Sequence, residues 1–263
     1  MVDAPTSRLG WPILMSVAFR SLFLEASWNL SGQQNIGYAA SINPALKSLY
    51  KNRPEDLAKA QSRALRFFNT NPTLSGLTIG AALRLEEDMA DSRVQEKEGS
   101  LIIGSLASVL AAHGDLLFWQ AWLPFCCLIG FALTLMSLAN GQVTLAPLLI
   151  PALFCLLSWP ARIGGIFYGY KLGSRAFELI QRFRAARAAE WTKRFNMALT
   201  GFLIIYGLKT LENPNKQGQE LIAVGAVSSV LFFTLAQRIW PKIGPKSLYL
   251  LIVLGLGLTA FVM

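Results

Sequence analysis

Leu116-Leu117-Phe118-Trp119-Gln120-Ala121-Trp122-Leu123-Pro124-Phe125-Cys126-Cys127 opens a run that continues to Ser158-Trp159-Pro160-Ala161 without one Asp, Glu, Lys or Arg. Asp115 and Arg162 bracket it, and the 46 residues between them decide the fold. As one straight helix the run would reach about 69 Å, roughly twice the hydrocarbon thickness of a bilayer. It must therefore turn back. Ala139-Asn140-Gly141-Gln142 is the expected place, with Pro147 and Pro151 opening the return. The run reads as a membrane hairpin.

Working outward, the charge is unevenly placed. Residues 162–194 carry eight basic and two acidic side chains, residues 195–263 carry five and two, and residues 1–98 carry eleven and ten. The formal net charge of +9 is thus a topology signal and not a nucleic-acid footprint. Lys171, Arg175, Arg182, Arg184, Arg187, Lys193 and Arg194 are expected in the cytoplasm, on the side where the hairpin started. Apolar stretches at 195–208, 221–237 and 247–263 then alternate across the bilayer. The first of these is short and needs Arg194 and Lys209 to snorkel. The near-neutral loop 209–220 falls outside, the loop holding Arg238, Lys242 and Lys246 inside, and the C-terminus outside. With 53% hydrophobic and only 15% charged residues, the composition excludes a disordered chain, a disulfide-rich secreted module and a coiled coil.

The first 115 residues read differently. Their apolar stretches (11–24, 67–83 and 99–114) are short for routine crossings and suit interfacial or re-entrant helices. Residues 52–66 form an amphipathic polar pattern, and 84–98 hold three basic and six acidic residues; both are expected to be solvated helix faces. Arg8, Pro12 and Arg20 interrupt any secretory-signal pattern, so the N-terminal region is expected in the mature protein. The expected fold is an all-α polytopic membrane protein. It has an N-terminal region of interfacial and re-entrant helices (1–115), a transmembrane hairpin (116–161), a basic cytoplasmic segment (162–194) and C-terminal transmembrane helices (195–263).

The chemistry-bearing residues point away from catalysis. Cys126, Cys127 and Cys155 sit among Phe, Leu and Ile, which suits packing better than metal binding. His113, the only histidine, precedes Asp115 by two residues and reads as a polar side chain at a helix end. An acid–base role for that pair is the competing reading. No Gly-rich phosphate loop precedes a Lys, so neither a cofactor nor an enzyme is indicated.

Polar residues in apolar surroundings are more informative. Glu25, Asn29 and Gln33 recur at i, i+4 and i+8, which stacks them on one face of the first helix beside Trp28. Carboxylate, amides and an aromatic face are the components of a sugar site; hydrogen bonding to neighbouring helices is the equal alternative. In Phe67-Phe68-Asn69-Thr70-Asn71-Pro72, Asn71 and Pro72 read as a helix start, which leaves Asn69 and Thr70 unexplained. Gly165, Gly169 and Gly173, spaced by four, read as a face for close helix packing.

These segments resemble a known family. Phe19-Arg20-Ser21, Glu25-Ala26-Ser27-Trp28-Asn29, Gln34-Asn35-Ile36-Gly37-Tyr38, Asn43-Pro44-Ala45-Leu46-Lys47-Ser48-Leu49-Tyr50 and Phe67-Phe68-Asn69-Thr70-Asn71-Pro72 resemble the IID component of the mannose/fructose/sorbose phosphotransferase permeases. So do Gly114-Asp115-Leu116-Leu117-Phe118-Trp119 and Gly169-Tyr170-Lys171-Leu172-Gly173, in the same order along the chain. The resemblance implies a subunit of a bacterial cytoplasmic (inner) membrane permease, with the N-terminus cytoplasmic and the C-terminus outside. It implies pairing with a IIC subunit, as a heterodimer repeated in a trimer. It also implies a hexose-type sugar phosphorylated by phospho-IIB, itself supplied by IIA. Matching positions place Trp28, Asn29, Gln34, Asn69, Thr70 and Asp115 at the sugar; no catalytic residue, metal or cofactor is implied. The chain departs from the family pattern at Glu25, where Gln is usual, at Leu30-Ser31-Gly32-Gln33, at Asn71, where His is usual, and before Gly114. A diverged member with a regulatory or structural role and no sugar transport is the alternative reading.

Overall fold

The computed structural model describes residues 8–139, 144–182 and 184–211, and its regular structure is helical. Five helices fill the first part: α1 (Trp11–Ser21), α2 (Asn35–Leu49), α3 (Pro54–Ala64), α4 (Ser75–Ala90) and α5 (Glu96–Gly114). Prolines at the first turns of α1 and α3 fit helix starts, where a missing N–H costs nothing. Glu55 and Asp56 in the first turn of α3 favour its N-terminal dipole.

α5 does not stop where its apolar stretch was expected to end. It continues through a π-helical stretch, Asp115–Trp122, into α6 (Leu123–Ala139). Glu96–Ser137 is thereby one helix of 42 residues, long and apolar enough to cross a membrane. Residues 99–114 are its first part and not a separate short element. After a 3-10 turn at Ala146–Leu148, α7 (Leu149–Leu172) runs through a second 3-10 turn, Gly173–Arg175, into α8 (Ala176–Arg182). Ala146–Ile180 is the second stretch able to span a membrane. α9 (Ala185–Leu211) follows, joining the last basic residues and the apolar 195–208 in one helix. The expected turn at 140–142, the loops beyond 211 and the apolar stretches 221–237 and 247–263 lie outside the described residues.

The described residues divide into two compact units, one built from 8–126 and 151–192, the other from 127–150 and 193–211. In the first, Val17 of α1, Ile42 and Leu46 of α2, Ile79 and Leu83 of α4 and Ile166 of α7 are fully buried in one core. In the second, Leu128 and Leu135 of α6 bury Leu203 of α9.

α4 is the hub of the first unit, because glycines let α7 reach its backbone. A Cβ on Gly76 would sit 1.8 Å from the Arg162 carbonyl oxygen, and one on Gly80 2.1 Å from that of Ile166. Gly165 and Gly169 return the fit from α7, against Gly76, Leu77 and Ala81. The expected packing face is therefore real for these two. Gly173 has another job: at φ +56° it terminates α7 in the left-handed region, with Arg84 where a Cβ would project.

The acidic stretch 84–98 corrects an expectation. Glu86 and Glu87 are 3% and 0% exposed, not on a solvated face. Arg63, from the supposedly solvated α3, donates to Glu86 Oε2 at 2.8 Å, and Tyr50 donates to the same oxygen at 3.2 Å. Glu87 accepts from the Tyr170 hydroxyl and, at 3.3 Å, from Arg84. A buried carboxylate survives only with such partners. Burial still pushes the Glu86 carboxyl above its ordinary range, and the hydrogen bond and charge of Arg63 pull it back only in part. Burial, then the charge of Glu86, push the Tyr50 hydroxyl up to about 12.

Candidate functional site

Glu25, Asn29 and Gln33 do not share a helix face. α1 ends at Ser21, and residues 22–34 form successive turns. Asn29 and Gln33 exchange backbone hydrogen bonds at 3.1 and 2.9 Å. The Asn29 side chain closes the turn between them, accepting from the Gly32 N–H at 2.7 Å and donating to Asn35 Oδ1 at 2.9 Å. Short polar side chains that bond nearby backbone compete with helix, and the i, i+4 spacing was coincidental here.

The turn segment is stitched to the start of α4. Phe68 N–H donates to the Gly32 carbonyl at 3.2 Å, and Gln34 N–H to the Phe68 carbonyl at 2.9 Å. Tyr38 stacks on Phe68 with ring centroids 3.9 Å apart. The buried Gln34 side chain then grips Thr70 from both sides: Nε2 donates to its carbonyl at 2.9 Å, and its N–H donates to Oε1 at 3.0 Å. The same Nε2 reaches Glu25 Oε1 at 3.3 Å. The Thr70 hydroxyl lies 3.3 Å from that of Thr78 in α4.

Asn71 extends this polar seam to the long helix. Its Oδ1 accepts from the Thr73 N–H at 3.0 Å, the bond of an N-cap, although α4 proper begins only at Ser75. Its Nδ2 donates to Asp115 Oδ1 at 2.9 Å. Gly114 permits the approach, since a Cβ there would meet Asn71 Cβ at 2.3 Å. Asp115 is also the first residue of the π-helical stretch, a geometry that recurs at functional sites.

The sequence-predicted residues thus fall into two groups. Gln34 and Thr70 are buried and satisfied by each other, and Asn29 is committed to its turn. Trp28 is half exposed, Asn69 is half-buried with no side-chain hydrogen bond to the described residues, and Asp115 is exposed beyond its bond to Asn71. The seam brings Asn69 next to the gripped Thr70 and links Asp115 to it through Asn71. Sequence reasoning missed the Glu25–Gln34 and Asn71–Asp115 contacts; only the glycine before Asp115 hinted at the latter. His113 Nδ1 lies 2.9 Å from the Val109 carbonyl oxygen, within its own helix. Cys126, Cys127 and Cys155 are in no disulfide, and no cluster of metal-ligating residues occurs among the described residues.

Among the described residues the structure is helical, with two apolar helices of membrane-spanning length and a polar seam at a helix start, the architecture of a membrane protein. Solved structures share the fold. One described as "Structure of membrane protein" aligns over 97% of each chain with a TM-score of 0.72 and 22% identity. The "CryoEM Structure of Mannose Transporter ManYZ and Microcin E492 (MceA) complex" aligns over 98% of this chain and 97% of that one, with a TM-score of 0.56 and 23% identity.

The family follows from sequence. The model of the "PTS system mannose/fructose/sorbose family IID component" matches residues 12–257, and this chain belongs to that family. It is 33% identical over 162 residues to the mannose-specific EIID component of Escherichia coli K12, covering 61% of this chain and 55% of that protein. To the fructose permease IID component of Bacillus subtilis 168 it is 29% identical over 194 residues, covering 73% and 68%. To the sorbose-specific EIID component of Klebsiella pneumoniae it is 31% identical over 164 residues, covering 62% and 56%. The chain spans about half the length of the E. coli relative it matches.

Proposed function

We propose that this chain is the IID subunit of a working sugar permease of the bacterial cytoplasmic membrane. Together with a IIC subunit it carries a hexose-type sugar inward, and phospho-IIB phosphorylates the sugar on the cytoplasmic side. The N-terminus and the basic residues of 162–194 lie on that side, with the C-terminus opposite; the functional unit is a trimer of IIC–IID pairs. The observation that carries the reading is the Gln34–Thr70 grip, which fixes the Asn69 backbone while leaving the Asn69 amide uncommitted. A side-chain amide carried on a fixed backbone, with both donors and its acceptor uncommitted, suits vicinal sugar hydroxyls, and half-exposed Trp28 offers an aromatic face to the C–H side of a ring. Preorganisation of this kind lowers the entropic cost of binding. The remaining acceptor capacity of Glu25 and Asp115 lies at the two ends of the seam.

The test is hexose uptake and phosphorylation by membranes containing the IIC, IIB and IIA proteins, with and without this chain. Uptake of at least one hexose that depends on the chain, and falls with Asn69→Ala or Trp28→Ala, is the expected result. Uptake of every sugar unchanged by its absence would sink the proposal. A phenotype intact in both variants would favour the non-transporting alternative.

A further inference from the structure

Arg162 is the charge that ends the 46-residue blank, and it lies inside a stretch apolar enough to span a membrane. A cation at such a place is costly unless it is used. The Asn69–Asp115 seam accounts for Gln34, Thr70, Asn71 and Asp115 without it, so its partners need their own explanation.

They lie on both sides of the seam. The main chain of Arg162 is at the closest approach of α7 to α4, where its carbonyl oxygen occupies the space a Cβ on Gly76 would need. Gly76 is the second residue of α4, shortly after the segment that holds Asn69, Thr70 and Asn71. The side chain goes the other way. Nη2 donates to the Ser21 carbonyl, the last residue of α1 and the root of the turn segment that carries Glu25 and Trp28. The Glu25 carboxylate acts on the guanidinium electrostatically without forming a close ion pair. Arg162 Nε is buried and has no hydrogen-bond partner among the described residues. A single residue therefore touches the 69–78 half of the seam with its backbone and the 21–34 half with its side chain.

We propose that Arg162 is a positioning residue for sugar binding: it sets the turn segment bearing Trp28 and Glu25 against the α4 start bearing Asn69. It does not touch the sugar; it holds the two halves in register through Ser21 and the charge of Glu25. This rests on the sugar-binding reading above. Lys keeps the charge but not the planar fork, so Arg162→Lys is a partial replacement, whereas Arg162→Gln removes the charge and leaves Glu25 uncompensated.

The experiment reads two quantities on the IIC-containing complex in lipid nanodiscs and vesicles. The first is amide hydrogen exchange of residues 22–34, which needs no sugar. The second is KM for hexose uptake. Arg162→Gln is expected to speed exchange across 22–34 selectively and to raise KM roughly tenfold or more with the maximal rate little changed. Arg162→Lys should fall between it and the parent, and Glu25→Gln should cost less in the Arg162→Gln background than alone. Exchange across 22–34 unchanged in Arg162→Gln would overturn the proposal. So would faster exchange with KM unaffected, which would make Arg162 merely structural. If 22–34 loosens but the parent complex takes up no hexose, the anchoring stands and the sugar reading is what fails. If Arg162→Gln does not assemble, Arg162→Lys carries the same two measurements.

Discussion

Gly80→Ala adds one methyl group where α4 and α7 meet backbone to backbone, and the structure sets its cost. The new Cβ would lie 2.1 Å from the Ile166 carbonyl oxygen and 2.8 Å from the Tyr170 nitrogen, where real Cβ contacts do not come under 3.0 Å. Both obstacles are backbone of α7, so no rotamer change relieves them. The helices must separate by close to an ångström, and the same movement loosens Gly76 against Arg162 and Gly169 against Leu77. Overpacking against a rigid neighbour costs about 1–3 kcal/mol, and a backbone obstacle belongs at the upper end. At about 2–4 °C per kcal/mol for a chain of this size, the melting temperature in detergent should fall by roughly 4–12 °C. Gly104→Ala is the internal control, because nothing lies within 4 Å of its Cβ. A helical alanine there should be neutral, or stabilising by up to about 1 kcal/mol. Melting of Gly80→Ala within a degree of Gly104→Ala would refute the claim that α4 and α7 meet backbone to backbone.

Removing one partner of the buried Arg63–Glu86 pair should cost about 3–5 kcal/mol as Arg63→Met, and the double variant Arg63→Met/Glu86→Leu should recover most of it; equal losses in chemical denaturation would count against the pair. Because the folded state holds the Glu86 carboxyl above its ordinary range, its contribution to stability is full at acid pH and is lost as pH rises through the folded value. Glu86→Gln should flatten that dependence, and a pH–stability profile identical to the parent's would contradict it. Asn71→Asp keeps the cap on Thr73 but sets a carboxylate against Asp115, so it should destabilise more than Asn71→Ala; Asp115→Asn in the same chain should restore it, read by thermal unfolding. Trp28→Ala should raise KM for uptake without lowering the amount of assembled complex, because half of its surface is exposed; loss of assembly would show that it is a packing residue instead.

Much of the architecture is local and therefore readable. The charge-free run, the amphipathic pattern of 52–66 and the close-packing pair Gly165 and Gly169 each depend on residues near one another in the chain. What misled was local pattern without its distant partner. Glu86 sits in an acidic stretch that looks solvated, and its burial is decided by Arg63, 23 residues earlier on another helix. Glu25, Asn29 and Gln33 have helical spacing, but Asn29 finds better partners in Gly32 and Asn35 than a helix would allow it. Asn69 and Thr70 stand out in the sequence because Asn71 and Pro72 explain themselves as a helix start and they do not. Their fixation, by contrast, depends on Gln34, 36 residues away from Thr70, and no spacing rule reaches that far.

The π-helical stretch Asp115–Trp122 has a consequence for how the chain tolerates changes of length. A π turn is an α turn with a residue added, so losing one residue here would be absorbed by reverting to α-helix and would not break it. Reversion leaves the helix on either side in nearly its present phase, whereas a residue lost from a regular α-helical turn would rotate the side chains by about 100°. Asp115, tied to Asn71, and Trp119, stacked on Phe154 with centroids 5.8 Å apart, lie inside the stretch, so their own contacts are what a deletion there would disturb. A natural or engineered deletion in this stretch would therefore be felt as local repacking around Asp115 and Trp119, and the same deletion in the flanking α-helical turns as rotation.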